Sequence, residues 1–473
     1  MSILSIEFLV FLAVIIGFYY LLPGKCRPYV LLAGNIFFYL QFDIRFIPFL
    51  LFSILSVFFG AWIMEKASAR GKKWILGCIL LLNIGLLFFV KFGPGLLAFT
   101  GISVTILMPL GISFYTLQVC GYLMDVYRGK YPAERSFCKF SAFSTFFPLM
   151  LQGPISRYDQ LAHQLFSTEK LPHIYENLTY GAQLMLWGFF QKLVIADRAA
   201  IFVNHIFANY SDSSGLLLLG AILLYTLQIY TDFSGCVDIC RGAAQMLGIE
   251  VIDNFRRPYF SRSIQEFWKR WHISLSGWFR DYLYIPLGGN RKGTVRKYLN
   301  LIIVFLVSGL WHGVGVHFLV WGLLQAVFQI IGALTLPAKK MLCIRFGIDR
   351  EGRGYRLAQY LFTFVLINIS WLFFRADSTH DALQMFAGIF RILPLPESIP
   401  GFGLWDVLCL LGAGAVLFMI SFFREKGIRI RKTIAELPLF IRWALYWLAL
   451  TFVLLLGIYG PGYSDNAFIY MNF

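Results

Sequence analysis

Residues 299–336 read LNLIIVFLVSGLWHGVGVHFLVWGLLQAVFQIIGALTL, an apolar stretch about twice the length of one membrane-crossing helix, broken at GLWHGVG (309–315). Its apolar residues run continuously instead of alternating. In a hydrocarbon solvent the backbone must bond to itself, so this pattern predicts helix and not barrel strand. A basic cluster at 339–356 follows, and Lys and Arg collect in cytoplasmic loops. The segment therefore enters the membrane and returns, with His312 near the turn.

The same pattern extends over the whole chain. Of its 473 residues, 58% are hydrophobic and 14% charged, where soluble domains carry about 25% charged residues. Further spans fit at 3–22, 28–42, 46–64, 75–93, 102–124, 176–197, 215–231, 357–374, 403–423 and 442–460. The fold class expected is all-α, a polytopic transmembrane bundle of about 11–12 spans. The first 24 residues lack Lys and Arg, while Lys25 and Arg27 follow the first span, which places the N-terminus outside. The basic stretches 65–73 and 128–139 then fall inside. With no positive n-region and no small-residue cleavage site, the first span is expected to be retained and not a signal peptide.

Two segments break the rule. Residues 140–155 (FSAFSTFFPLMLQGPI) are apolar but short and carry Pro148, Gly153 and Pro154, the mark of a re-entrant element. Residues 232–297 interleave charge with Phe, Trp and Tyr, which fits interfacial or buried helices.

The net charge of +16 admits nucleic acid in principle, but the cations sit in short clusters between apolar runs, so nucleic-acid binding is excluded. The eight cysteines are scattered without metal-ligand spacing, and no metal is expected. No internal repeat of the kind found in many transporters is visible.

His312, between Trp311 and Gly313, is the sharpest candidate. Ionisable groups at membrane depth are functional by default, and a desolvated imidazole stays neutral, as a general base requires. A structural histidine bonded to a neighbouring helix is the other reading of the same position. His272 lies in FWKRWHISLSGWFRDYLYIP (267–286), the densest mixture of charge and aromatics. It can assist proton transfer or be an interfacial residue satisfied locally. His163, His173, His205, His317 and His380 lack such a setting, although His317 is near enough to His312 for a supporting role. The loop GGNRKG (288–293) can turn glycine amides, Arg291 and Lys292 toward an anion, or be an ordinary cytoplasmic loop. Asp232 and Asp238, near Arg241, are expected in structural ion pairs, and Glu266, Lys269 and Arg270 in local pairing along one helix. On position alone a transporter and an acyltransferase both remain open.

Six segments occur in order: PLGISFYTLQVCGYLMDVYRG (109–129), FFPLMLQGPISR (146–157), FFQKLVIADRAA (189–200), LQIYTDFSGCVDICRGAAQMLGI (227–249), NFRRPYFSRSIQEFWKRWHISLSGWFRDYLYIPLGGNRKG (254–293) and SGLWHG (308–313). With these the chain resembles the membrane-bound O-acyltransferase superfamily. It is most similar to the alginate O-acetylation branch, and next to the D-alanyl transfer protein of teichoic acid modification. The tail NAFIYMNF (466–473) is similar too.

The resemblance implies a single membrane domain over 1–473: N-terminal spans (1–135), a catalytic core (136–336) and C-terminal spans (337–473). A central tunnel would join a cytoplasmic donor site to an extracytoplasmic mouth. The family's catalytic histidine falls on His312 and its second motif histidine on His272. Trp311, Trp271, Ser274, Arg280, Asp281, Tyr284, Asn290 and Arg291 are the candidates for substrate or donor contact. The donor implied is acetyl-CoA, or a phosphopantetheinyl carrier protein in the D-alanyl branch. The partners implied are membrane lipid, an extracytoplasmic SGNH-type or related transfer protein and a polysaccharide acceptor, at the cell membrane. After SGLWHG this chain reads VGVHF, where the branch usually has a small residue followed by an aromatic, so the pocket beside His312 is expected to differ in shape.

Overall fold

A computed structural model describes residues 1–98, 100–101, 106–169, 172–395 and 398–459. The tail motif at 466–473 lies outside the described residues. Among them there are helices and no strand, as the continuous apolar runs require. Among the described residues, eight helices are long and apolar enough to cross a membrane: Ile44–Lys66, Ala69–Ala98, Gly215–Met246, Gly293–His312, Val316–Leu334, Arg353–Arg375, Leu404–Glu425 and Leu439–Leu456. The spans expected at 3–22 and 28–42 are shorter helices, Ile6–Leu21 with 16 residues and Arg27–Leu40 with 14. The one expected at 176–197 runs through Ile174–Phe189 into a π-helical turn. Of the one expected at 102–124, residues 102–105 lie outside the described residues and the helix is Ile112–Tyr127. The chain is thus an all-α, multi-pass membrane protein. Large apolar side chains such as Leu455, Phe440 and Leu81 point outward, which only a nonaqueous surrounding tolerates on this scale.

The chain forms two compact units, Met1–Met185 with Cys236–Asp253, and Leu186–Gly235 with Asn254–Phe473. In the first, Phe8, Phe11, Phe38 and Phe147 pack as one aromatic knot, with Phe11 and Phe147 edge-to-face at 5.0 Å. The expected re-entrant segment forms two short helices, Phe137–Ser144 and Phe147–Met150, buried from Phe140 onward. Irregular backbone at that depth needs partners, and side chains supply them. Asn35 donates to the Ala142 carbonyl at 3.2 Å and accepts from the Phe147 amide at 2.9 Å, while Gln118 donates to the Phe143 carbonyl at 2.9 Å.

The second unit is built around the 299–336 stretch. Gly293–His312 and Val316–Leu334 form a hairpin whose turn holds Gly313 and Gly315. Two glycines let the helices cross in backbone contact. A Cβ on Gly309 would lie 2.4 Å from the Phe318 carbonyl oxygen, and one on Gly322 would lie 2.3 Å from that of Phe305. Arg353–Arg375 packs against the hairpin, tied by Gln325, which donates to Ser370 Oγ at 2.7 Å and accepts from the Trp268 indole at 3.0 Å.

One span is longer than expected, and the charges within it are paired. The helix expected at 215–231 continues to Met246 through Asp232. Asp232 does not end it because Lys192 Nζ stands 2.5 Å away, with Asp197 on its other side at 2.8 Å. Lys192 is carried by a π-helical turn, Phe190–Ala196, the kind of local widening that often marks special positions. Asp232 is thus in a structural ion pair, as expected. So is Asp238: Arg241 bridges Asp238 at 3.1 Å and Asp253 at 2.5 Å. Glu266 and Arg270 pair one helical turn apart at 2.7 Å, as expected, and Arg270 also reaches Glu425 at 2.9 Å.

Candidate active site

His312 is the last residue of its helix, buried at the turn where the apolar run breaks. Its imidazole is enclosed by rings. Trp311 lies 4.8 Å away between centroids, Trp321 at 5.1 Å and perpendicular, and Phe374 at 5.2 Å. Phe318 closes the cluster at 5.3 Å from Phe374. Gly313 leaves room for this packing, since a Cβ there would meet the Phe318 ring at 2.1 Å. The result is an imidazole buried in an aromatic box, where low dielectric strengthens any charge-dependent contact.

His272 belongs to the same cluster. It caps the helix Ile273–Phe279 with left-handed backbone (φ 43°), a conformation uncommon outside glycine. Its ring meets Phe233 edge-to-face at 4.8 Å and Trp311 at 6.2 Å. One indole thus neighbours both histidines. Asn254 holds the loop: its Oδ1 accepts from the Ser274 amide at 3.0 Å and from Ser274 Oγ at 2.9 Å, and lies 3.3 Å from His272 Nδ1. Because the Ser274 amide can only donate, the facing Asn254 atom is oxygen, and His272 must carry its proton on Nδ1. Nε2 then keeps its lone pair and has no partner among the described residues. Burial pushes the His272 pKa down to about 3, so this imidazole is neutral at physiological pH.

Of the other candidates, Trp271 is buried in the same cluster, stacked on Phe267 at 5.4 Å and 5.0 Å from Trp371. Ser274 joins through Asn254. Arg280, Asp281, Tyr284, Asn290 and Arg291 are placed elsewhere. The first three lie on a π-helical turn, Arg280–Tyr284, where Arg280 pairs with Asp281 at 2.8 Å. Asn290 and Arg291 are exposed on the loop preceding Gly293–His312. That helix has 20 residues, so the loop stands about 28 Å along it from His312. The loop is itself well formed. Gly288, Gly289 and Gly293 adopt positive φ, and buried Asn300 donates to the Gly289 carbonyl at 2.9 Å. His317 packs on Phe318 at 4.2 Å. His163, His173 and His380 are exposed. Among the described residues no group of His, Cys, Asp and Glu is arranged to hold a metal.

Sequence reasoning missed Asn254, Phe233, Trp321 and Phe374. Asn254 opens the longest motif quoted above, and Trp321 lies nine residues after His312 on the returning helix. Neither spacing announces a contact before the hairpin is built.

Comparison with known proteins places the chain in a family. The family model described as MBOAT, membrane-bound O-acyltransferase family, matches residues 133–374, a region containing every residue of the aromatic cluster. The chain is 37% identical to the probable alginate O-acetylase of Pseudomonas fluorescens over 386 residues, covering 80% of this chain and 73% of the relative. It is 32% identical to the peptidoglycan O-acetyltransferase of Helicobacter pylori, covering 76% and 73%. It is 27% identical to the teichoic acid D-alanyltransferase of Streptococcus thermophilus, covering 61% and 70%. The order of similarity is the one the motifs predicted. The chain belongs to the membrane-bound O-acyltransferase family and is an O-acyltransferase.

Proposed function

We propose that the protein takes an acetyl group from cytosolic acetyl-CoA and passes it across the cell membrane for O-acetylation of an extracytoplasmic polysaccharide, with His312 as general base. The observation that carries this reading is the buried imidazole at the break of the 299–336 hairpin, enclosed by Trp311, Trp321 and Phe374. An acceptor hydroxyl attacks the thioester carbonyl as His312 removes its proton. His272, neutral and oriented by Asn254, holds the donor side of the same cluster. Acetyl is favoured over D-alanyl because the relatives of greater identity are named for O-acetylation.

In this reading the N-terminus is extracytoplasmic and the basic loop at 288–293 faces the cytosol. Arg291 and Lys292, at the far end of the helix from His312, serve the first encounter with an anionic donor, not contact with the acyl group. A central tunnel joins the two ends, and an SGNH-type or related extracytoplasmic protein completes transfer to the sugar.

The test supplies membranes carrying wild type or His312→Ala with labelled acetyl-CoA and the native extracytoplasmic partner, at equal protein levels. Alkali-labile label in polysaccharide is expected from wild type, with a loss of about 10²–10⁴-fold in the variant. Equal label in both removes His312 from the chemistry. No label in wild type, together with transfer from a loaded carrier protein, favours the D-alanyl route.

A further inference from the structure

Two indole N–H groups in the cluster around His312 have no acceptor among the described residues, Trp321 Nε1 and Trp371 Nε1. Both side chains are completely buried. The same core does supply an acceptor to a neighbouring indole, since Trp268 donates to Gln325 Oε1 at 3.0 Å. A buried donor left unpaired is destabilising, and each native instance calls for a reason. The two orphan donors are adjacent, with rings stacked at 6.1 Å and 14° apart. Trp321 stands perpendicular to His312 at 5.1 Å, and Phe374 touches Trp321, Trp371 and His312 at 5.1, 5.4 and 5.2 Å.

Acyl transfer needs two things at one place: a base for the proton of the attacking hydroxyl, and donors for the oxygen on which negative charge develops. The first is His312 in the reading above. The cluster also contains two neutral N–H donors that have no acceptor among the described residues.

We propose that the Trp321 indole N–H, backed by that of Trp371, receives the acyl carbonyl oxygen during transfer at His312. This inference rests on the reading of His312 as the base. The acceptor oxygen bonds to the carbonyl carbon as its proton passes to His312. The carbonyl π pair moves onto oxygen, where the indole N–H holds it. Collapse reforms the C=O bond and breaks the C–S bond, and the departing thiolate takes the proton back from the imidazolium. The products are an ester and a thiol, with no other reactant. Charge on the oxygen grows only in the transition state, so the N–H accelerates the reaction without tightening donor binding.

Trp321→Phe keeps an aromatic ring and removes the N–H. In the membrane transfer assay kcat is expected to fall about 10²–10³-fold, with KM for the acyl donor unchanged. The thermal midpoint should not fall through loss of a hydrogen bond, since the Trp321 indole makes none among the described residues. Trp321→β-(3-benzothienyl)alanine exchanges N–H for sulfur at nearly constant shape, and the same loss of kcat is expected even where the Phe variant packs poorly. Full turnover by the benzothienyl variant overturns the proposal, whatever the Phe variant does. Absence of transfer by wild type is a different result, which defeats the underlying reading of His312.

Discussion

Nδ1 of His272 lies 3.3 Å from the amide oxygen of Asn254, eighteen positions earlier in the chain. That oxygen fixes the tautomer of the histidine and, through Ser274, the start of the helix Ile273–Phe279. Asn254→Ala removes the acceptor from three donors at once. Stability is expected to drop by about 1–3 kcal/mol, and acyl transfer to fall with it. Thermal denaturation in detergent and the transfer assay check both. A variant as stable and as active as wild type would show that the loop is held by other contacts.

The same burial makes His272 a source of pH-dependent stability. Its folded pKa is near 3, against an ordinary value of 6.5. Between these limits the unfolded chain binds a proton that the folded chain does not, so stability rises with pH. The contribution is neutral above pH 6.5 and increasingly unfavourable as pH falls through that window. His272→Gln should therefore flatten the fall in thermal midpoint between pH 7 and pH 5. An unchanged slope would assign acid sensitivity to other groups.

Lys192 balances two buried carboxylates, those of Asp197 and Asp232. Lys192→Met leaves both carboxylates without that ammonium, an expected loss of about 3–5 kcal/mol. Lys192→Met combined with Asp232→Leu should recover part of it. The readout is the thermal midpoint of the purified variants, and a double variant no more stable than the single one argues against the pairing.

Gly322 is where the hairpin helices touch, with Phe305's carbonyl oxygen 2.3 Å from any added Cβ. Gly322→Ala must push the helices apart and displace Trp321, its neighbour in sequence. A loss of about 1–3 kcal/mol and a larger loss of turnover are expected. Gly332→Ala, on the same helix but with nothing within 4 Å of the new Cβ, is the control. Equal behaviour of the two variants would mean that the crossing is not close in the working protein.

Arg291 and Lys292 are exposed, about 28 Å along the helix from His312. Reversing both to Glu should raise KM for acetyl-CoA on the order of tenfold at low ionic strength and leave kcat intact. The difference should shrink as salt is added. A fall in kcat at saturating donor would place the loop closer to the chemistry than its position allows.

The membrane class and the hairpin at 299–336 were legible because hydropathy is additive along the chain: a break at GLWHGVG between two apolar runs leaves little alternative. Length was less legible. The helix through Asp232 runs on to Met246 because its charge is matched by Lys192, forty positions earlier, and span detection from one strand of sequence cannot see that match. His312 and His272 stood out as polar residues in apolar or aromatic surroundings. Asn254, Trp321 and Phe374 did not, since their roles arise from tertiary contact between helices and an aromatic residue in a membrane helix is ordinary. Asn290 and Arg291 shared a motif with His272, yet the motif continues into a helix that carries them away from it.

A single helix of 20 residues, Gly293–His312, has the basic loop at one end and the buried imidazole of His312 at the other. It behaves as a calibrated shaft. Each residue inserted between the two ends would rotate one relative to the other by about 100° and lengthen their separation by about 1.5 Å. Insertions and deletions within it are therefore phase errors: the imidazole would swing out of its ring of aromatics while every side chain of the cluster remained intact. Composition along the outer face of this helix is free to vary, but its residue count is not.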